Sequence, residues 1–122
     1  MTEAEILELV AVHGANAMTA FTVFISFTFG FLATAYVVGS QLTQLQTMVA
    51  SGLYIIAAVA PSLTQIVYIQ LMFRILESGP NLGQGMPLLN GTFWVWAMSL
   101  IQSIGILVSL YFMWSVRHPR TA

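Results

Sequence analysis

The strongest indication of the fold class is the stretch MTAFTVFISFTFGFLATAYVV, residues 18–38. It carries no formally charged side chain. As an α-helix it would rise about 31 Å, close to the ~30 Å thickness of the hydrocarbon core of a bilayer. The stretch therefore predicts a transmembrane helix.

Two further stretches have the same character. Residues 48–76 and 92–116 are long and apolar, and Pro61 lies near the middle of the first of them. Proline removes a backbone donor but is tolerated in membrane helices, so we expect a kink there. We predict an all-α integral membrane protein with a single domain and three transmembrane helices. Its segments would be an N-terminal helix (1–17), the spans 18–38, 48–76 and 92–116, a polar link (39–47), an outer loop (77–91) and a tail (117–122).

The amino-acid composition is typical of a chain that is surrounded mostly by lipid. Charged residues make up 6% of the chain, whereas soluble domains carry roughly 25%. The net charge is −1 and there is no basic patch, which argues against a nucleic-acid partner. Cysteine is absent, so disulfides and thiolate metal sites are excluded.

The first 17 residues have features of a helix start. Thr2 and Glu5 have the spacing of a capping box, and the early acidic residues suit the positive end of a helix dipole. We predict a short amphipathic N-terminal helix that lies at the membrane interface or runs straight into the first span. Residues 14–16, Gly-Ala-Asn, would be the place for a bend.

Aromatic residues bracket the third span. Trp94 and Trp96 open it, and Tyr111 and Trp114 close it. Trp96 and Trp114 would be about 27 Å apart along a helix, which matches the two headgroup regions where amphipathic rings prefer to lie. We interpret these four residues as membrane-interface anchors.

The orientation of the chain across the membrane has to be inferred from a small number of arginine residues. Arg117 and Arg120 flank the last span, and the positive-inside rule places them in the cytoplasm, with the N-terminus outside. Arg74, at the other end of the second span, argues the opposite way. The composition and brevity of the chain suggest a bacterial cytoplasmic (inner) membrane.

Neutral polar residues at membrane depth are the main site candidates. Ser26, Gln65 and Gln102 fall at similar depth in the three spans, and buried glutamines in lipid need partners. We expect Gln65 and Gln102 to face the bundle interior, or an oligomer interface, and to bond across helices. Gly30 and Ser99 belong to stripes of small residues that let helices approach closely. These positions either hold helices together or line a path for a small solute or ion.

Two other groups of residues deserve separate hypotheses. The apolar side chains Leu82, Met86 and Leu88 of the outer loop could dip into the interface, cap the bundle or contact a partner. His13 and His118 lie beyond opposite ends of the predicted spans, where we expect solvated or headgroup-facing imidazoles.

No catalytic constellation is present in the sequence, so the prediction is a protein that is not an enzyme and has no intrinsic cofactor or metal. Bound lipid is expected, and a pigment or haem shared with a larger complex stays an open alternative. The leading hypothesis is a small accessory or structural subunit of a membrane assembly, made with other subunits or with copies of itself, which acts by helix packing and by organising its partners. The alternative is a small oligomeric channel or transporter for a small solute or ion.

Overall fold

A computed structural model of the chain describes residues 2–77 and 91–118. The described residues form three long helices and one short 3-10 helix: α1 (Glu3–Val38), the 3-10 helix (Gly39–Gln41), α2 (Gln44–Glu77) and α3 (Gly91–Arg117). Each long helix is sufficiently long and apolar to cross a membrane. The predicted all-helical fold with three candidate spans is confirmed.

Helix α1 is longer than the predicted first span. Its N-terminus is closed by the predicted capping box, in which Glu5 N donates to Thr2 Oγ1 (3.2 Å) and Thr2 N donates to Glu5 Oε2 (2.7 Å). The 36-residue helix continues without interruption through residues 14–16. Of the two predicted arrangements, the structure shows the one in which the N-terminal segment runs straight into the first span, and the helix is not divided after residue 17. The alanines around Gly14 are strong helix formers, which is sufficient to carry the helix through.

The link between the first two spans is shorter than predicted. Helix α2 begins at Gln44 because Thr43 and Gln46 form a second capping box: Gln46 N donates to Thr43 Oγ1 (3.2 Å) and Thr43 N donates to Gln46 Oε1 (2.9 Å). The Thr-x-x-Gln pattern that predicts this start was visible in the sequence and was overlooked. Pro61 lies inside α2, and the kink at this position stays a prediction.

The three helices run up, down and up. Arg117, at the end of α3, donates hydrogen bonds to backbone carbonyls of the link between α1 and α2. Near the opposite end, the rings of His13 on α1 and Tyr68 on α2 lie 5.8 Å apart. The end of α3 therefore lies beside the end of α1.

Small residues allow the closest helix packing. Ala35 on α1 and Ala58 on α2 are completely buried. A Cβ atom added to Gly105 of α3 would lie 3.4 Å from Cζ of Phe24 on α1, so the ring of Phe24 packs directly against the backbone of α3. Close backbone approach at small residues is the usual way for helices to associate in lipid.

Two apolar clusters fill the bundle, one toward each end. The first contains Phe24, Phe31, Ala35, Tyr54, Ala58 and Met113. The second contains Ala17, Ile69 and Phe73, with Met98 among the residues packed against it. On α2, Gln65 falls between Ala58 and Ile69, and on α3, Gln102 falls between Met98 and Met113. The two glutamines therefore lie at the level where the clusters meet.

Candidate functional site

The structure brings Gln65 and Gln102 together in the middle of the bundle. Each is only 2% exposed, and Gln102 Nε2 donates a hydrogen bond to Gln65 Oε1. The bond connects α2 to α3 across 37 positions of sequence. An amide buried among apolar side chains is costly unless it is hydrogen-bonded, so this pair stabilises the relative position of the two helices.

One acceptor of this pair has no hydrogen bond. Among the described residues, Gln102 Oε1 is buried and has no hydrogen-bond partner. Gln102 also lines a cavity of about 200 Å³ between α2 and α3, whose other polar residues are Ser62, Ser99 and Ser103. The pair thus borders a cavity whose lining mixes polar and apolar side chains and includes Ser99, a predicted site residue.

A second cavity, of about 290 Å³, lies among all three helices and is bordered by Gln65. Its remaining lining is almost entirely apolar: Gly14, Ala17, Met18, Ile69, Met72, Phe73, Trp94 and Met98. Such a lining excludes ions and suits apolar groups. Gln65 therefore borders the apolar cavity, and Gln102 borders the cavity that contains the three serines.

The environment of His13 differs from the expected solvated imidazole. The residue is half-buried, and Nδ1 is fully buried without a hydrogen-bond partner among the described residues. Because α1 is continuous and packs against the end of α2, His13 is brought against the ring of Tyr68. The expectation failed because it assumed that the bundle ended before residue 13.

Ser26 and Gly30 lie apart from the glutamine pair. Ser26 is exposed, and its Oγ donates to the backbone oxygen of Thr22 at 2.8 Å. With Thr34 they line a groove of about 410 Å³ on the outer side of α1 and α2, which we call the α1–α2 groove. Its other residues are Phe27, Phe31, Ala50, Leu53, Tyr54 and Ala57.

The aromatic residues of α3 lie mostly on the outside of the bundle. Trp96, Tyr111 and Trp114 are more than half exposed, whereas Trp94 is partly covered and lines the apolar cavity. The ring of Trp114 stacks on His118 with centroids 4.9 Å apart. Their role as membrane-interface anchors stays a prediction.

Arg117 has a structural role that the sequence analysis missed. Its Nη1 donates to the backbone oxygen of Gly39 at 3.2 Å and to that of Leu42. These carbonyls belong to the end of α1 and the link that follows it, where helical backbone oxygens lack their usual partners. The sequence analysis used Arg117 only to infer the orientation of the chain. Its hydrogen-bond partners could not be inferred in this way, because they are 75 and 78 positions away.

Tyr54 was also missed. Its hydroxyl lies 2.9 Å from Thr28 Oγ1, and its ring stacks on Phe31 with centroids 4.3 Å apart. Tyr54 is 4% exposed and joins α1 to α2 by both a polar and an apolar contact. An isolated tyrosine in an apolar span was the available signal, because a buried phenol needs a partner.

Several predicted positions lie outside the described residues. These are the loop candidates Leu82, Met86 and Leu88 and the tail residue Arg120.

Within residues 2–77 and 91–118, no group of three His, Cys, Asp or Glu side chains could hold a metal ion. No protein-family model, curated protein or solved structure matches the chain significantly.

Proposed function

We propose that this chain is a small structural subunit of a membrane assembly and acts by packing its helices against partner subunits or against copies of itself. The observation that carries the proposal is the α1–α2 groove. Five of its nine lining residues are small, and no described part of the chain fills it.

Gly30 is the most informative residue of the groove. A Cβ atom added to it would meet nothing within 4 Å. Glycine inside a helix costs about 1 kcal/mol relative to alanine, and packing within the chain gives no reason for glycine here. A partner helix that approaches the backbone of α1 at Gly30 would supply that reason.

The polar groups beside Gly30 are compatible with an apolar partner. Ser26 and Thr34 donate their hydroxyls to backbone oxygens one turn earlier in α1, at 2.8 and 2.9 Å. They therefore present methylene and methyl groups without requiring a donor or acceptor from the partner. Such a groove suits van der Waals packing against another transmembrane helix.

The extent of exposed apolar surface supports the same proposal. In the most apolar 18-residue window of each long helix, at most 17% of the residues are buried. The chain thus offers much more surface to lipid or partners than it covers by itself.

The experiment is to extract the tagged chain from its host in mild detergent, measure the mass of the particle and identify its components. We expect a particle larger than one chain, with other subunits or a defined number of copies. The Gly30→Leu variant should dissociate the particle by filling the groove, whereas Ala33→Leu, at an exposed position of α1 outside the groove, should leave it intact. A monomeric wild-type particle would overturn the proposal.

A second candidate, a small oligomeric channel, is favoured by the polar side chains that line the cavity between α2 and α3. Ser62, Ser99 and Ser103 and the unpartnered oxygen of Gln102 would form part of a polar wall. Thr64 does not line this cavity: it is exposed, and its hydroxyl donates to the backbone oxygen of Ala60 at 3.0 Å. Solute flux into proteoliposomes that is lost in Gln102→Leu, with assembly intact, would favour this candidate.

We also propose the bacterial cytoplasmic membrane as the location, with the C-terminus in the cytoplasm and the N-terminus outside. The support is the pair Arg117 and Arg120 beside the last span. A C-terminal reporter that is active only outside the cytoplasm would contradict this orientation.

A further inference from the structure

The two ends of the helix bundle carry opposite charge. All four acidic side chains belong to one end, which contains the beginning of α1 and the end of α2: Glu3, Glu5, Glu8 and Glu77. Arg74 is at that end as well. Arg117 ends α3 at the opposite end, so no acidic side chain of the sequence is placed to neutralise it.

The guanidinium of Arg117 is held in a defined position. The residue is half-buried, and its Nη1 bonds to the backbone oxygens of Gly39 and Leu42. Arginine has five N–H donors in a planar fork, and within the described part of the chain no acceptor is bonded to its Nε or Nη2. Three donors of an ordered cation are therefore available to a ligand.

The surroundings of Arg117 place it at the level of lipid headgroups. Trp114 is 55% exposed one turn earlier in α3, and its ring is stacked on that of His118. His118 Nδ1 lies 3.0 Å from the backbone oxygen of Trp114, which further orders the pair. Exposed tryptophan at the end of a membrane span prefers the interface between hydrocarbon and headgroups.

We propose that Arg117 binds the phosphate group of an anionic phospholipid. Phosphate matches the planar donor fork of arginine, and a negatively charged headgroup would supply the counter-charge that the chain lacks at this end. Trp114 would lie along the glycerol and upper acyl chain of the same lipid. This site does not depend on the proposed structural function, because it requires only that the bundle span a bilayer.

The test uses the full chain in detergent micelles that contain equal amounts of phosphatidylglycerol and phosphatidylcholine, with the bound lipid measured by native mass spectrometry. We expect wild-type protein to retain phosphatidylglycerol about five-fold over phosphatidylcholine, the ratio expected for one cation near an anionic headgroup. Arg117→Gln should lower the ratio to about one, whereas Arg117→Lys should keep part of the preference because it retains the charge.

The matched control is Arg74→Gln, which removes the arginine at the acidic end and should leave the preference unchanged. An equal loss in both glutamine variants would indicate a general effect of net charge and would overturn the proposal. So would a preference that is lost in Arg120→Gln and kept in Arg117→Gln.

Two measurements on the wild-type protein keep the proposal testable if Arg117→Gln does not fold. Equal retention of the two lipids would overturn it directly. Displacement of phosphatidylglycerol by millimolar inorganic phosphate would show a site for soluble phosphate and would also overturn the lipid assignment, whereas retention in phosphate buffer supports a lipid site.

Discussion

Gln102 on α3 donates a hydrogen bond from Nε2 to Oε1 of Gln65 on α2, and both side chains are buried between two apolar clusters. This hydrogen bond joins a side chain of α2 to a side chain of α3 near the middle of the bundle. The two glutamines, which the sequence places at similar depth in two helices, thus bond to each other and hold α2 against α3.

The glutamine pair should show energetic coupling. Removing one partner leaves an amide buried without its bond, so Gln65→Leu and Gln102→Leu should each lower the free energy of unfolding by about 1–3 kcal/mol. The double variant should lose less than the sum, with a coupling of about 0.5–1.7 kcal/mol. Equilibrium unfolding in mixed detergent micelles measures these values. Gln70→Leu, at an exposed position of α2, is the control and should change little; additive effects of the first two variants would contradict the prediction.

Tyr54 should contribute more through its ring than through its hydroxyl. Tyr54→Phe removes the bond to Thr28 but leaves the stacking on Phe31, so we expect a loss of about 0.5–1.5 kcal/mol. Tyr54→Ala also creates a cavity and should cost about 3–5 kcal/mol. The same unfolding assay applies, with Tyr36→Phe as the control because Tyr36 is 78% exposed. Equal losses for the two substitutions of Tyr54 would show that the ring contact is unimportant.

Gly105 should not tolerate a branched side chain. A Cβ atom added there would lie in van der Waals contact with the ring of Phe24, so the additional methyl groups of Gly105→Val would crowd that ring. We expect a loss of about 1–3 kcal/mol from overpacking. Gly52→Val is the matched control, because a Cβ atom at Gly52 meets nothing within 4 Å. Thermal unfolding in detergent should separate the two variants, and a stable Gly105→Val would be inconsistent with this packing of α1 against α3.

The start of α2 should depend on Thr43. Thr43→Ala removes the side-chain acceptor for Gln46 N and should lower stability by about 0.5–2 kcal/mol. Thr64→Ala removes a hydroxyl that bonds only to the preceding turn of the same helix, and it should have a smaller effect. Hydrogen exchange of the amides near residues 44–46 would measure the result locally. Unchanged protection in Thr43→Ala would show that the link to α1 holds this end without the cap.

The depth of a site residue along its helix could be predicted from the sequence, but the side of the bundle on which it lies could not. The depths of Gln65 and Gln102 follow from counting residues along two spans, because a helix advances by a constant rise. The side of the bundle on which Ser26 and Gly30 lie could not be obtained in this way. They belong to the same kind of stripe as Ser99, but the structure places them in the outer α1–α2 groove, away from the glutamine pair.

The sequence predicts three helices suited to a membrane, since length and lack of charge are local properties that need no tertiary contact. It also predicts the capped start of α1, where the donor and acceptor are three residues apart. The packed structure was needed to show which faces of the helices meet, that Phe24 packs on Gly105, and that Arg117 bonds to carbonyls of the α1–α2 link. Lipid solvates apolar side chains about as well as a protein interior does. Both the lipid-facing side and the buried side of such a helix can therefore be apolar, and the pattern of polar and apolar residues does not show which side is buried. The buried side is selected by the fit of small against large side chains, and this fit exists only once the helices are side by side.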